Sequence, residues 1–504
     1  MKRYKKYILF LIIGVIFGVV LWRSSSSTDF GQLFETTNKK RMENKEIENS
    51  DISQYMYQYP VNELGIKKSQ LSYLKSPLDS QNNSFPVEQR TIKKEEAISD
   101  IHFLFQVLKY SYAGYSYFGG DKIWKKAKNN IIDAINSYEQ ETDISELQQL
   151  LLEELAFVQD GHFTINFLSP LKRYHFYYSE KYEVQKDSDG YYIKLDNGNW
   201  YIESINNDSN IGFYIKPSMN KNGELCDYIG FLSTENNINA LKVVVRAKEE
   251  SKELFLALSR SNNQETSITK EENDVYHYSE INKIPIFTIR SFDPNENLEE
   301  FMSSAKQAKN QDVIILDIRG NYGGQDIAPF TWFQNFTGQS PSTETTNIRL
   351  ANLINNYVTK LAAKNIDYQS LSKELKQQYK KELNIADCKE NKWHITREKK
   401  KFVNNKTKIF VLMDSKVASS GETFIRYLDT LENVVFVGTN SSGSYLSLQS
   451  IRCTLPYSQI TVTYGDSISI INDYVEGKGF EPDVWIGGSD SLERVVNFIS
   501  RKST

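Results

Sequence analysis

Cysteine is nearly absent: three occur in 504 residues, Cys226, Cys388 and Cys453, far apart in the chain. That excludes a CxxC redox motif, a zinc ribbon and a fully paired disulfide framework. The plain reading is three reduced thiols, mostly buried. Histidine is equally scarce, with five in all, and no HExxH or Cys/His cluster is formed, so neither a metal nor a cofactor is expected. Charge of one sign is also lacking. Sixty basic against 64 acidic residues leave a net charge of −4, which gives no basic face for nucleic acid. No 20–50-residue repeat is apparent. What is present is ordinary for a globular protein, with 39% hydrophobic and 25% charged residues and a generous supply of aromatics.

One apolar run approaches membrane length. Tyr7 to Trp22 carries no charge and follows Lys2, Arg3, Lys5 and Lys6. As a helix it spans roughly 24 Å, slightly short of a bilayer core, and Arg23 and the flanking aromatics can extend it by snorkelling. The basic cluster stays cytoplasmic, so an N-terminal anchor puts the rest of the chain outside the cytoplasm. A signal peptide cleaved near Ser24–Ser27 is the rival reading; both predict an extracytoplasmic bulk, the first at the cell membrane.

The remainder divides by pattern. Residues 28–90 are polar and read as a tether and lead-in. Residues 91–167 read as a helical domain: Ile98, Ile101, Phe105 and Leu108 share one face, and a helix starting near Asp143, with Glu146 as a capping-box partner, carries the stripe Leu147, Leu151, Leu155, Val158. It runs into Asp160-Gly161-His162 and then the alternating segment Phe163–Phe167, a strand candidate. Residues 168–282 show short β-like runs and turn signals. Residues 283–504 alternate strand and helix, with Ile284–Ile289, Val313–Ile318, Lys408–Met413 and Val434–Val437 as strands. Phe424, Leu428 and Leu431 mark a crossover helix between the last two, a βαβ unit. Residues 346–402, rich in Lys, Asn and Gln, read as a helical insertion. The fold class is therefore α/β (α+β) and multidomain.

Four short pieces carry chemistry. Ala418-Ser419-Ser420-Gly421-Glu422 follows a buried strand and opens a helix, where free N–H groups favour negative charge on a nucleophile or oxyanion; taken alone, the motif is read more simply as a serine N-cap. Asp317-Ile318-Arg319-Gly320-Asn321-Tyr322-Gly323-Gly324 follows the most apolar strand, and its paired glycines allow close backbone approach, or simply a tight turn. His162 sits on a loop. Glu476-Gly477-Lys478-Gly479-Phe480-Glu481-Pro482-Asp483 is a glycine-spaced loop whose carboxylates either orient a base or are merely solvated.

In this order the pieces resemble the S41 serine peptidases, which include the C-terminal processing proteases and the tricorn core. The resemblance covers about 91–167, 283–345 and 403–490 and is specific at the motifs. It implies a ββα-type peptidase core and hydrolysis of peptide bonds in peptides or proteins. The Ser–Lys branch carries a lysine in a G-x-x-x-x-G-K loop. Here that loop is Gly438-Thr439-Asn440-Ser441-Ser442-Gly443-Ser444, and a serine stands at its end. The Ser–His–Glu branch is matched by S-x-G-[DE] at Ser419–Glu422, by E-x-x-G-x-x-P-D at Glu476–Asp483 and by His162. A tricorn-type serine beside the histidine is replaced by Gly161. The resemblance thus implies Ser419 as nucleophile, His162 as general base, Glu476 as its orienting carboxylate, and the N–H groups of Ser420 and Gly323 or Gly324 as oxyanion donors. PDZ domains accompany many processing proteases; residues 168–282 lie where one would occur but lack a Gly-Leu-Gly-type loop. A catalytically silent peptide-binding relative is the alternative. An esterase-type α/β-hydrolase is disfavoured because no G-x-S-x-G elbow is present.

Overall fold

The computed structural model describes residues 29–42, 51–59, 66–76, 91–138, 141–196, 198–261, 275–293, 296–364, 368–370, 373–387, 391–448 and 451–502. The apolar run Tyr7–Trp22 lies outside them, as does Cys388; among the described residues no helix is long and apolar enough to cross a membrane.

The chain is a mixed α/β protein centred on a six-stranded sheet. Its order is Tyr276–Ile281, Ile284–Ile289, Val313–Asp317, Lys408–Met413, Val434–Gly438, Val484–Trp485; the first pair is antiparallel and the others are parallel. The central strands are apolar on both faces because both are covered. One face packs against the helices Glu299–Ala308, Ile327–Thr337 and Ser420–Leu428 through Phe301, Trp332 and Phe424. The other packs against Ser491–Lys502 and the helix of residues 29–42.

That last contact departs from the tether expected over 28–90. Phe30 and Phe34, one helical turn apart, are buried against Phe410 and Phe498. Arg41 reaches Asp429, Asp483 and the carbonyl of Val434. Polar neighbours hide so short a stripe in the sequence. Further on, Leu71 and Leu74 join the core of the helical region.

The helical region is built on Lys94–Ser111, Gly120–Ser137 and Ile144–Glu154. Asp143 caps the third by accepting from the N–H groups of Ser145 and Glu146, and Leu147, Leu151, Leu155 and Val158 are all buried. The strand expected over Phe163–Phe167 shrinks to Thr164–Ile165, because Asn166 and Phe167 turn to φ 44° and 69°. Even so, this short strand pairs with Thr461–Tyr464, coupling the histidine loop to the far end of the chain.

Residues 175–260 form an eight-stranded antiparallel sheet with its own core around Trp200, Leu241 and Val243. It is fastened to the central sheet: Phe176 lies 4.5 Å from Trp485 between ring centroids, and the buried Arg494 donates to the Met219 carbonyl. Within 346–402, Leu353–Ala363 and Lys373–Ala386 are helical, flanked by the antiparallel pair Thr345–Ala351 and Lys392–Glu398. Cys226 is half-buried and Cys453 buried; both are free thiols.

Candidate active site

The Lys408–Met413 strand ends, a short loop turns, and the next helix opens at Ser420 with Ser419 just before it. Ser419 has φ 52° and ψ −120°, a conformation that a residue with a Cβ rarely adopts and that costs about 1–3 kcal/mol. Neighbours hold it there. The Ala418 N–H donates to the Asn321 carbonyl at 3.0 Å and the Thr423 N–H donates to the Ser419 carbonyl at 2.9 Å. The plain capping reading does not describe either serine. Ser419 makes no side-chain cap bond, and the Ser420 hydroxyl donates to the Gly324 carbonyl at 2.9 Å. The Ser419 Oγ instead lies 3.1 Å from His162 Nε2.

His162 is held through its backbone. Its N–H donates to Asp160 Oδ1 at 2.9 Å, and Asp160 is fixed in turn by Tyr112 Oη and Ser447 Oγ, each at 2.8 Å. The ring Nδ1 has no hydrogen-bond partner among the described residues. Burial lowers the imidazole pKa below its ordinary 6.5; Asp160 opposes this, Arg173 adds to it, and Asp326 and the Ser447 backbone oppose it more weakly. A base so placed stays neutral further into acid. The acid limb of kcat/KM is therefore expected below pH 6.5. A pH–rate profile on one peptide checks this, and a limb centred well above 6.5 would contradict it.

Glu476 does not touch the imidazole. Its Oε1 accepts the Gly161 N–H at 2.8 Å; its Oε2 accepts the Tyr445 and Leu446 N–H groups at 3.0 and 2.8 Å and the Tyr474 hydroxyl at 2.9 Å. It thus grips the peptide group next to His162. Burial, Asp160 and Glu422 push its pKa up to about 8, against the pull of the Gly161 and Tyr445 N–H donors. Gly161 leaves room that another residue takes: a Cβ at 161 would overlap the Ser444 side chain. Ser444, at the position where the other branch has lysine, receives a hydrogen bond from Arg173 at 3.2 Å. The loop carrying it is held by the fully buried Glu422, which accepts from Ser441 Oγ and from the N–H groups of Gly443 and Ser444 at 2.6, 3.0 and 2.7 Å.

The Asp317–Gly324 segment supplies the remaining wall. Asp317 is clamped by Arg319 and Arg290, with the Arg319 Nη2 at 2.7 Å and the Arg290 Nη2 at 2.9 Å. Burial alone would raise its carboxyl, but the two guanidinium groups hold it well below the carboxylate range. At Gly323, φ 102°, a Cβ would stand 2.8 Å from the Ser419 Cβ and 3.0 Å from the Ser420 nitrogen, so only glycine fits. The Gly323 N–H, however, donates to Asn321 Oδ1 at 3.0 Å and is already engaged. The N–H groups of Gly324 and Ser420 donate to no protein acceptor among the described residues.

The sequence pointed to Ser419, His162, Ser420 and the glycines, which the fold brings together, and to Glu476, which it sets against the Gly161 peptide. Asp160, Arg173 and Asp326 were missed. The spacing Asp160-Gly161-His162 was a usable signal for the first; the other two are defined only by tertiary neighbours. Among the described residues no group of His, Cys, Asp and Glu is arranged to hold a metal ion.

The model of peptidase family S41 matches residues 283–486. No curated protein sequence matches the chain. Among solved structures, mature CPAF complexed with lactacystin is similar at 13% identity and a TM-score of 0.41, over 81% of this chain and 98% of that one. A putative peptidase from Parabacteroides merdae gives 14%, a TM-score of 0.38, and 80% and 95% coverage. The photosystem II D1 C-terminal processing protease gives 12%, 0.35, and 80% and 97%. Likenesses this distant transfer neither substrate nor partner.

Proposed function

Given that this chain belongs to peptidase family S41 through residues 283–486, and is thereby a serine peptidase, we propose that it cleaves peptide bonds of peptides or proteins through a Ser–His–Glu acyl-enzyme mechanism outside the cytoplasm. The observation that carries the mechanism is the 3.1 Å approach of Ser419 Oγ and His162 Nε2 across 257 residues of sequence. In this reading Ser419 Oγ attacks the scissile carbonyl while His162 Nε2 takes its proton and passes it to the leaving amine. Water, activated by the same imidazole, then hydrolyses the acyl-enzyme. The N–H groups of Ser420 and Gly324 receive the oxyanion. Gly323 contributes close approach, since its own donor serves Asn321. Glu476 is a positioning residue that acts through the Gly161 peptide. The extracytoplasmic and membrane-anchored part of the reading rests on the basic cluster and the apolar run Tyr7–Trp22.

Labelling with a fluorophosphonate probe tests the chemistry. The wild-type protein should react and Ser419→Ala should not. An unreactive wild-type protein that still binds peptides would replace this reading with the silent-binder one.

A further inference from the structure

The base is held by its backbone. Nδ1 of His162 has no partner among the described residues, and Glu476 and Asp160 accept the N–H groups of Gly161 and His162 without a hydrogen bond to the ring. The approach of the imidazole to Ser419 therefore depends on what fixes the Gly161–His162 backbone. That backbone also meets the 442–444 loop: a Cβ at 161 would stand 2.9 Å from the Ser444 Cα. The same loop is tied to the nucleophile. The Ser442 N–H donates at 2.8 Å to the carbonyl of Val417, two residues before Ser419, and the Ser444 N–H donates at 2.7 Å to Glu422, three residues after it. Residues 442–444 are thus a spacer between the turn that carries the nucleophile and the loop that carries the base.

Arg173 grips this spacer. Its Nη1 donates to the Ser442 carbonyl at 2.8 Å, to the Ser442 hydroxyl, and to the Ser444 hydroxyl at 3.2 Å. The segment that carries it is anchored on both sides: the Lys172 N–H donates to the Gln159 side chain at 2.9 Å, and the Tyr174 N–H donates to the Gly477 carbonyl at 2.9 Å. The guanidinium is half-buried, and among the described residues no carboxylate forms an ion pair with it. A half-buried guanidinium without a counter-ion adds no ion-pair stability. Its charge-assisted bonds all go to oxygens of one loop, which suits a side chain that fixes that loop in place.

We propose that Arg173 is a positioning residue that sets the approach of His162 to Ser419 by clamping Ser442 and Ser444 against the Gly161 peptide. The proposal rests on Ser419 and His162 acting as described above. Releasing the clamp lets the base drift from the nucleophile, and a displacement of about 1 Å costs on the order of 10²-fold in rate.

The test uses the full-length protein and saturation kinetics on one quenched fluorescent peptide, with kcat expressed per site labelled to completion by a fluorophosphonate, so that misfolded molecules are not counted. Arg173→Gln should lower kcat by about 10–100-fold while KM stays within about twofold. Arg173→Lys should recover only part of kcat, since one ammonium does not reproduce the planar fork. Ser444→Ala, which removes a single hydroxyl, should lower kcat by a smaller factor, again with KM unchanged. Because Arg173 acts through Ser444, the Arg173→Gln/Ser444→Ala double variant should lose less than the product of the two single losses. A wild-type kcat in Arg173→Gln overturns the proposal, even if the melting temperature falls, since the side chain is then purely structural. A loss confined to KM overturns it too, because the guanidinium then meets the substrate. Single losses that multiply in the double variant overturn the route through Ser444. The labelling separates the two claims: a labelled wild type whose kcat is indifferent to Arg173 defeats only this assignment, and an unlabelled wild type defeats the catalytic reading beneath it.

Discussion

Replacing His162 with alanine is expected to lower kcat by on the order of 10⁶, as far as replacing Ser419 does, and the double variant should fall no further. A serine hydroxyl is a weak nucleophile at neutral pH, and in the proposed mechanism the imidazole nitrogen 3.1 Å away takes its proton. The two groups act as one unit, so losing either removes the whole of their contribution. The activity left in each variant reflects substrate positioning and the free N–H groups of Ser420 and Gly324, a donor of this kind contributing on the order of 10²–10³. Measuring kcat for both single variants and the double variant on one peptide checks this. A His162→Ala enzyme within tenfold of wild type would remove His162 from the mechanism.

The largest effect on stability is expected at Asp317, which lies outside the reacting groups. Its carboxylate is buried at the end of the central Val313–Asp317 strand, with 2% side-chain exposure, between Arg319 at 14% and Arg290 at 29%. Alanine there leaves two guanidinium groups facing each other without their counter-charge. Removing one partner of a buried pair costs about 3–5 kcal/mol. Arg290 is open enough to water to soften its share, which favours the lower end. For a core of this size the thermal midpoint should fall by roughly 6–20 °C. Because the folded carboxyl is depressed below its unfolded value, the contribution is complete above the ordinary carboxylate range and disappears only in strong acid, as pH falls through the depressed value. The Asp317→Ala deficit should therefore be constant from neutral pH down to mildly acidic conditions. A midpoint within 2 °C of wild type, or a deficit that vanishes near neutrality, would contradict this account. Activity should fall with stability, because the same clamp opens the loop whose Asn321 carbonyl receives the Ala418 N–H beside Ser419.

How much of this was legible beforehand depended on range. Periodicity is a local property, and it gave the helical stripe ending at Val158, the buried strands of the central sheet and the crossover helix, all of which stand where expected. Short motifs are local as well, so Ser419, His162 and the paired glycines could be picked out and placed in order. Local patterns erred where a few residues were outweighed by distant partners. Asn166 and Phe167 alternate like a strand but turn, because the Asn166 N–H and side chain are drawn to Thr461. Phe30 and Phe34 sit in a polar stretch, yet they cover Phe410.

The amino-acid sequence by itself determined the class of chemistry, because a nucleophile, a base and flexible backbone must be written as particular residues. Tertiary structure alone decided how they are wired. It set Glu476 against the Gly161 peptide and away from the imidazole, and filled the space beside Gly161 with Ser444. Hydrogen bonds and charges act over a few ångströms of space, and the residues that share those ångströms here are separated by tens to hundreds of positions along the chain.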